Sequence, residues 1–133
     1  MRLWHVDLLH YLPKSQLLAQ WRELNSIFKK QDKHILINYI YKYRKEYLRY
    51  YSGMVISEFN NRGYKYNLDN YNKYFEGVPK TKKPLCYDEH DSKYLTICYY
   101  NLYEKYLRGQ KDFTLEVWEE LDRFYKEKIN GRH

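Results

Sequence analysis

One carboxylate stands out because it lies on the polar side of an otherwise apolar pattern. Large apolar side chains recur every three or four residues between Pro13 and Lys30, which predicts an amphipathic helix. Glu23 falls on the opposite side, with Arg22 on its flank. A carboxyl group could exchange protons with a bound molecule there, but most such glutamates are only solvated. The other residues on this side of the helix are Gln16, Ala19, Ser26 and Lys30.

The other reactive side chains are scattered along the chain. The histidines are His5, His10, His34, His90 and His133. His5 and His10 are badly spaced for binding one metal ion on a helix face, so a His/Asp metal cluster is possible only through the fold. The two cysteines form no C-x-x-C pair, and neither has a neighbouring His or basic residue that would mark a nucleophile. We therefore expect no metal and no other cofactor.

The composition favours a phosphate-binding surface. There are 24 Lys and Arg against 17 Asp and Glu, which gives a net charge of +7. The 18 tyrosines either fill the core or provide a surface on which bases stack. No apolar run is long enough for a membrane span, and no secretory signal is visible, so we expect a cytoplasmic protein.

The hydrophobic pattern predicts an all-α protein, a small single domain over residues 1–133 with about four helices and long irregular connections. Cap residues are expected at Gly63, at Asp91 or Ser92, and at Thr114. Residues 1–12 are expected to be extended or irregular, and residues 64–90 to form a long connection. The predicted helices are Pro13 to Lys30, about Asn38 to Asn61, about Asp91 to before Gly109, and about Leu115 to Ile129.

The sequence around Glu23 resembles a known family. The string from Leu17 to Leu24, which contains Arg22-Glu23-Leu24, is similar to the first helix of the pyrimidine-dimer DNA glycosylases of the endonuclease V type. A second similar block begins at His34 and closes with Arg62-Gly63-Tyr64, and a third consists of Glu89-His90-Asp91 followed by Glu104-Lys105. The blocks occur in the same order as in that family.

The resemblance implies a DNA repair glycosylase with AP lyase activity, acting as a monomer on double-stranded DNA that contains a pyrimidine dimer or an abasic site. It implies that the α-amine at Met1 attacks the sugar C1′ and that Glu23 stabilises the cationic transition state and moves protons. It requires no metal. Candidate DNA-binding residues are Arg2, Gln16, Arg22, Ser26, Lys30, His34, Lys105 and Arg108.

Three positions differ from the family pattern. Arg2 should prevent removal of Met1, since methionine removal requires a small second residue, so Met1 takes the place of the nucleophile. Gln16 stands where the family has His, and Ser26 where it has Arg. Two alternatives remain open, and the differences at the N-terminus and at Ser26 support the first. One is a non-catalytic DNA-binding domain of the same fold, and the other is a metal-dependent nuclease or an interaction protein.

Overall fold

The structure is a computed structural model that describes residues 1–131, so His133 lies outside the described residues. It contains five α-helices and two short 3-10 helices, and no strand occurs within residues 1–131. The predicted all-α class is confirmed, with more helices than the number expected. The α-helices are α1 (Lys14–Lys30), α2 (Lys45–Arg62), α3 (Asp69–Tyr74), α4 (Ser92–Leu107) and α5 (Leu115–Ile129); the 3-10 helices are Val6–Tyr11 and Asn38–Lys42.

Local side-chain chemistry fixes several helix ends where the sequence predicts them. The carboxylate of Asp91 accepts a hydrogen bond from the Tyr94 N–H (2.9 Å), and the hydroxyl of Thr114 accepts one from the Val117 N–H (3.3 Å). Gly63 ends α2 with φ of 72°, a left-handed conformation that favours glycine. These caps define the start of α4, the start of α5 and the end of α2.

Four features of the secondary structure differ from the prediction. The helix expected from about Asn38 is divided, because Asn38–Lys42 is a 3-10 helix and the chain is extended at Arg44 before α2 begins. The connection over residues 64–90 contains the short helix α3, and the first segment contains the 3-10 helix Val6–Tyr11. Pro13 is the N-cap of α1 rather than a residue of its first turn.

The core is built mainly from aromatic rings in two groups. In the first, α1 packs against α2 and α3. Its members are Trp21, Phe28, Phe59, Tyr71 and Phe75. In the second, α4 packs against α5, and the rings of Tyr99 and Tyr125 stack with centroids 3.8 Å apart. Many of the tyrosines therefore fill the core, which was the first of the two explanations for their abundance.

The first 12 residues are part of this core. The 3-10 helix Val6–Tyr11 contacts both α2 and α5, so the segment lies between the two aromatic groups. Five of its apolar side chains are buried, namely Leu3, Trp4, Leu8, Leu9 and Leu12. The burial of these side chains fixes the beginning of the chain against the helices.

Two histidines are buried next to this segment. The rings of His5 and His90 stack with centroids 6.0 Å apart, and the hydroxyl of Tyr39 lies 2.5 Å from Nε2 of His90. Burial, with a smaller contribution from the nearby His5, lowers the pKa of His90 to about 4. Burial also lowers the pKa of His5. Both rings are therefore neutral in the folded protein at pH 7.

We expect the stability of the protein to fall as the pH is lowered from about 6.5 to about 4. Over that range the unfolded chain binds a proton at His90 before the folded protein does, which favours unfolding. At about 1.4 kcal/mol per pKa unit, His90 accounts for about 3 kcal/mol of this loss. Urea unfolding at several pH values measures it. In His90→Asn the free energy of unfolding should depend less on pH, and an unchanged dependence would contradict the assignment.

Candidate active site

A cleft of about 210 Å³ lies where the start of the chain meets α1 and α4. The turn before the second 3-10 helix closes one side of it with Leu36. Its lining residues are Met1, Arg2, Trp4, Gln16, Ala19, Glu23, Leu36, Asn101 and Lys105. Glu23 is the only carboxylate in this set, and the set also contains the terminal amine and two basic side chains. The cleft therefore surrounds one carboxylate with positive charge.

Helical spacing explains how α1 and α4 contribute to the cleft. Gln16, Ala19 and Glu23 are three and four residues apart, so they share one face of α1. Asn101 and Lys105 are four residues apart on α4 and share a face in the same way. The apolar stripe on the other side of α1 holds the helix against the core, which directs Glu23 into the cleft.

A fully buried amide, that of Gln20, fixes the beginning of the chain beside Glu23. Its Oε1 accepts a hydrogen bond from the Trp4 N–H (2.8 Å), and its Nε2 donates to the Arg2 carbonyl oxygen (3.0 Å) and to Oε2 of Glu23 (3.2 Å). If the amide were flipped, its NH₂ group would face the Trp4 N–H, and two donors would meet. The hydrogen-bond partners therefore define the orientation of the Gln20 amide. Residues 2 and 4 are thus bound to α1 one turn before Glu23.

The charge state of Glu23 reflects two opposing effects. Burial raises the pKa of the Glu23 carboxyl. The positive terminal amine of Met1, a hydrogen bond from the Arg2 backbone N–H, and the charges of Lys105 and Arg22 all lower it, but burial prevails and the pKa is raised overall. Glu23 is thus more readily protonated near neutral pH than an exposed glutamate, which suits a group that must both give and take a proton.

Arg2 is held at the edge of the cleft by Tyr94. Its guanidinium carbon lies 5.7 Å from the centre of the Tyr94 ring, a cation–π contact. The Tyr94 hydroxyl donates a hydrogen bond to the Leu3 carbonyl oxygen (2.5 Å), so one tyrosine positions both residues. Burial raises the pKa of Tyr94, so this hydroxyl stays protonated and remains a donor.

The other candidate residues lie outside the set that lines the cleft. Arg22 is exposed but close enough to Glu23 to affect its pKa, and Lys30 is exposed at the end of α1. The hydroxyl of Ser26 donates to the carboxylate of Asp32. The remaining two are engaged in local contacts. In His34, Nδ1 accepts a hydrogen bond from the Leu36 N–H (3.1 Å), and Arg108 forms an ion pair with Glu104 (3.1 Å).

Four residues that shape the site were not identified from the sequence. Gln20 could have been, because it is a polar residue within the apolar stripe that Leu17, Trp21 and Leu24 define. The other three have no such local signal, because they lie far from Glu23 in the sequence and only the tertiary fold places them beside it. These are Trp4, Leu36 and Asn101.

Within residues 1–131, no group of three or more His, Cys, Asp or Glu side chains is arranged to hold a metal ion. The described helices also include none with the length and apolar character needed to cross a bilayer.

We expect Gln20→Leu to destabilise the protein and loosen the beginning of the chain. The Trp4 N–H and the Arg2 carbonyl would lose their partner, and a buried polar group left unpaired costs about 1–3 kcal/mol. Urea unfolding measures the loss. Gln16→Leu is the matched control, because this half-buried amide donates only to Oε1 of Gln110 (3.2 Å). Equal destabilisation by the two substitutions would contradict the role given to Gln20.

Comparison with known proteins supports the sequence resemblance. The family model described as pyrimidine dimer DNA glycosylase matches residues 1–72, just over half of the 133 residues, and the match includes all of α1 and α2. No curated protein and no solved structure matches the chain. The chain therefore belongs to the family of pyrimidine dimer DNA glycosylases, enzymes of DNA repair whose substrate is DNA.

Proposed function

We propose that the chain removes a base at a pyrimidine dimer through the α-amine of Met1 and then nicks the strand as an AP lyase. The observation that carries the proposal is that Met1 and Glu23 line one cleft, close enough for the terminal charge to lower the pKa of the carboxyl. The proposed substrate is double-stranded DNA containing a dimer or an abasic site, and the proposed active form is a monomer.

The choice of nucleophile rests on basicity. Lys105 is a second amine in the cleft, but an ordinary α-amine has a pKa near 8 and a lysine one near 10.4. At pH 7 about a tenth of an α-amine is neutral and nucleophilic, whereas far less than about a hundredth of a lysine is. The charge of Lys105 suits it better to holding a phosphate of the damaged strand, together with Arg2 and Arg22.

In the first half of the reaction, the amine of Met1 replaces the base at C1′ of the sugar. The Met1 nitrogen bonds to C1′ while the C1′–N bond to the base breaks, and the base leaves with that electron pair and the proton lost by the amine. The protonated Glu23 then gives its proton to the ring oxygen O4′ as the C1′–O4′ bond opens, which leaves a protonated imine between Met1 and C1′. The raised pKa of Glu23 favours this proton donation.

The second half breaks the strand. The imine withdraws electrons from C1′ and so acidifies the proton on C2′. The Glu23 carboxylate, which has just lost its proton, removes this C2′ proton, and the electron pair expels the phosphate oxygen at C3′. Water then hydrolyses the imine and restores the free amine of Met1. One carboxyl group beside one amine is sufficient for both halves.

Borohydride trapping on duplex DNA with an abasic site tests the nucleophile. Borohydride reduces an imine to a stable amine, so we expect a covalent protein–DNA adduct whose peptide map places the DNA on Met1. EDTA should leave the yield unchanged. An adduct on Lys105 would show that Lys105, and not Met1, is the nucleophile. Binding without an adduct, in protein shown by intact mass to begin at an unblocked Met1, would favour the non-catalytic DNA-binding domain.

Glu23→Gln tests the carboxyl group. The amide cannot exchange protons in the same way, so we expect turnover to fall by about 100- to 10,000-fold, while affinity for damaged duplex, measured by fluorescence anisotropy, changes little. Glu104→Gln is the matched control, because Glu104 is exposed on α4 and pairs only locally with Arg108. A loss of binding as large as the loss of turnover would give Glu23 a structural role instead.

A further inference from the structure

The turn after α1 presents a large apolar side chain to solvent. Ile35 is 86% exposed, more than any other large hydrophobic residue in the described part of the chain, and its neighbour Leu36 is 38% exposed. A single exposed apolar side chain is common on protein surfaces, so its meaning depends on what holds it outward and on what lies beside it.

The backbone of this turn is held firmly. The carbonyl oxygen of His34 accepts hydrogen bonds from the N–H groups of Ile37 (2.8 Å) and Asn38 (2.9 Å), and the His34 N–H donates to Oδ1 of Asn38 (2.7 Å). Ile37 is fully buried and anchors the turn in the core. On the other side, the Tyr41 hydroxyl donates to the Asp32 carbonyl oxygen. The outward position of Ile35 is therefore fixed by the folded backbone.

The position of the turn connects Ile35 with the chemistry. Leu36 lines the same cleft as Met1 and Glu23, and Ile35 is its neighbour in the chain. Two exposed lysines precede Ile35 in the chain, Lys30 at the end of α1 and Lys33 just before the turn. An apolar tip preceded by two positive charges fits duplex DNA, whose phosphates are negative and whose only apolar interior is the base stack.

We propose that Ile35 enters the base stack at the damaged step and that Leu36 supports it from the cleft side. This inference rests on the proposed function, since the deoxyribose C1′ is accessible to Met1 only when the stack is opened. Side chains such as Ile and Leu can separate neighbouring bases in this way and kink the duplex. A damaged or abasic step is weakly stacked and so costs least to open. Ile35 is thus a positioning residue, which makes damaged steps easier to enter than intact ones.

The primary test measures opening of the stack without any reaction. The probe is a duplex with a tetrahydrofuran abasic analogue, which cannot form an imine, and 2-aminopurine opposite it. We expect its fluorescence to rise several-fold when the unaltered protein binds, and we expect most of that rise to be lost in Ile35→Ala. Ile35→Leu should restore it, and Ile129→Ala, another exposed isoleucine at the end of α5, should not affect it.

Strand cleavage gives a second measurement. With a true abasic site, we expect Ile35→Ala to slow nicking of the duplex by about tenfold and to leave nicking of a single-stranded abasic oligonucleotide unchanged, because a single strand has no stack to open. Equal slowing on both substrates would overturn the proposal, since Ile35 would then only shape the cleft. An undiminished fluorescence rise in Ile35→Ala, or no rise with the unaltered protein on bound DNA, would also overturn it.

The two proposals fail in distinguishable ways. If neither the unaltered protein nor any variant nicks DNA, the proposed chemistry is wrong. The fluorescence experiment still decides whether Ile35 opens the stack. If nicking proceeds normally through a Met1 adduct without any fluorescence rise, the chemistry stands and the role of Ile35 is rejected.

Discussion

The site depends on the buried amide of Gln20, which joins the beginning of the chain to the helix that carries Glu23. No strand in the described part of the chain pairs with the first residues, so their backbone polar groups need other partners. Gln20 supplies them to Trp4 and Arg2 and also donates to Glu23. Because these bonds form away from water, breaking them is costly. One side chain therefore bonds to both the chain start and the carboxylate.

Two of the tyrosines meet the same constraint. An irregular segment buried between helices presents carbonyl oxygens that only side chains can satisfy. The hydroxyl of Tyr51 donates to the Trp4 carbonyl (2.6 Å), and that of Tyr94 to the Leu3 carbonyl (2.5 Å). A phenylalanine would fill the same space and leave each carbonyl unpaired. Tyrosine thus provides both the apolar ring that the core needs and the donor that the first residues need.

Sequence periodicity predicted α1, α4 and α5 well, because each carries a continuous apolar stripe, and in α4 and α5 a capping side chain marks the start. It failed before Lys45, since over a few residues a 3-10 helix and an α-helix produce the same spacing of aromatic residues. In the cleft, the face of α1 that contains Glu23 could be predicted from helical geometry. Leu36 and Asn101 could not, because only tertiary packing brings these parts of the chain together.

The burial of the first residues has a practical consequence for handling the protein. Leu3 is fully buried and Met1 is packed against the core, so an affinity tag fused ahead of Met1 would have to leave through the cleft. It would also turn the terminal amine into an amide, which has neither positive charge nor a nucleophilic lone pair. Such a fusion would remove the nucleophile that we propose, so a tag at the other end of the polypeptide is the better choice for measuring activity.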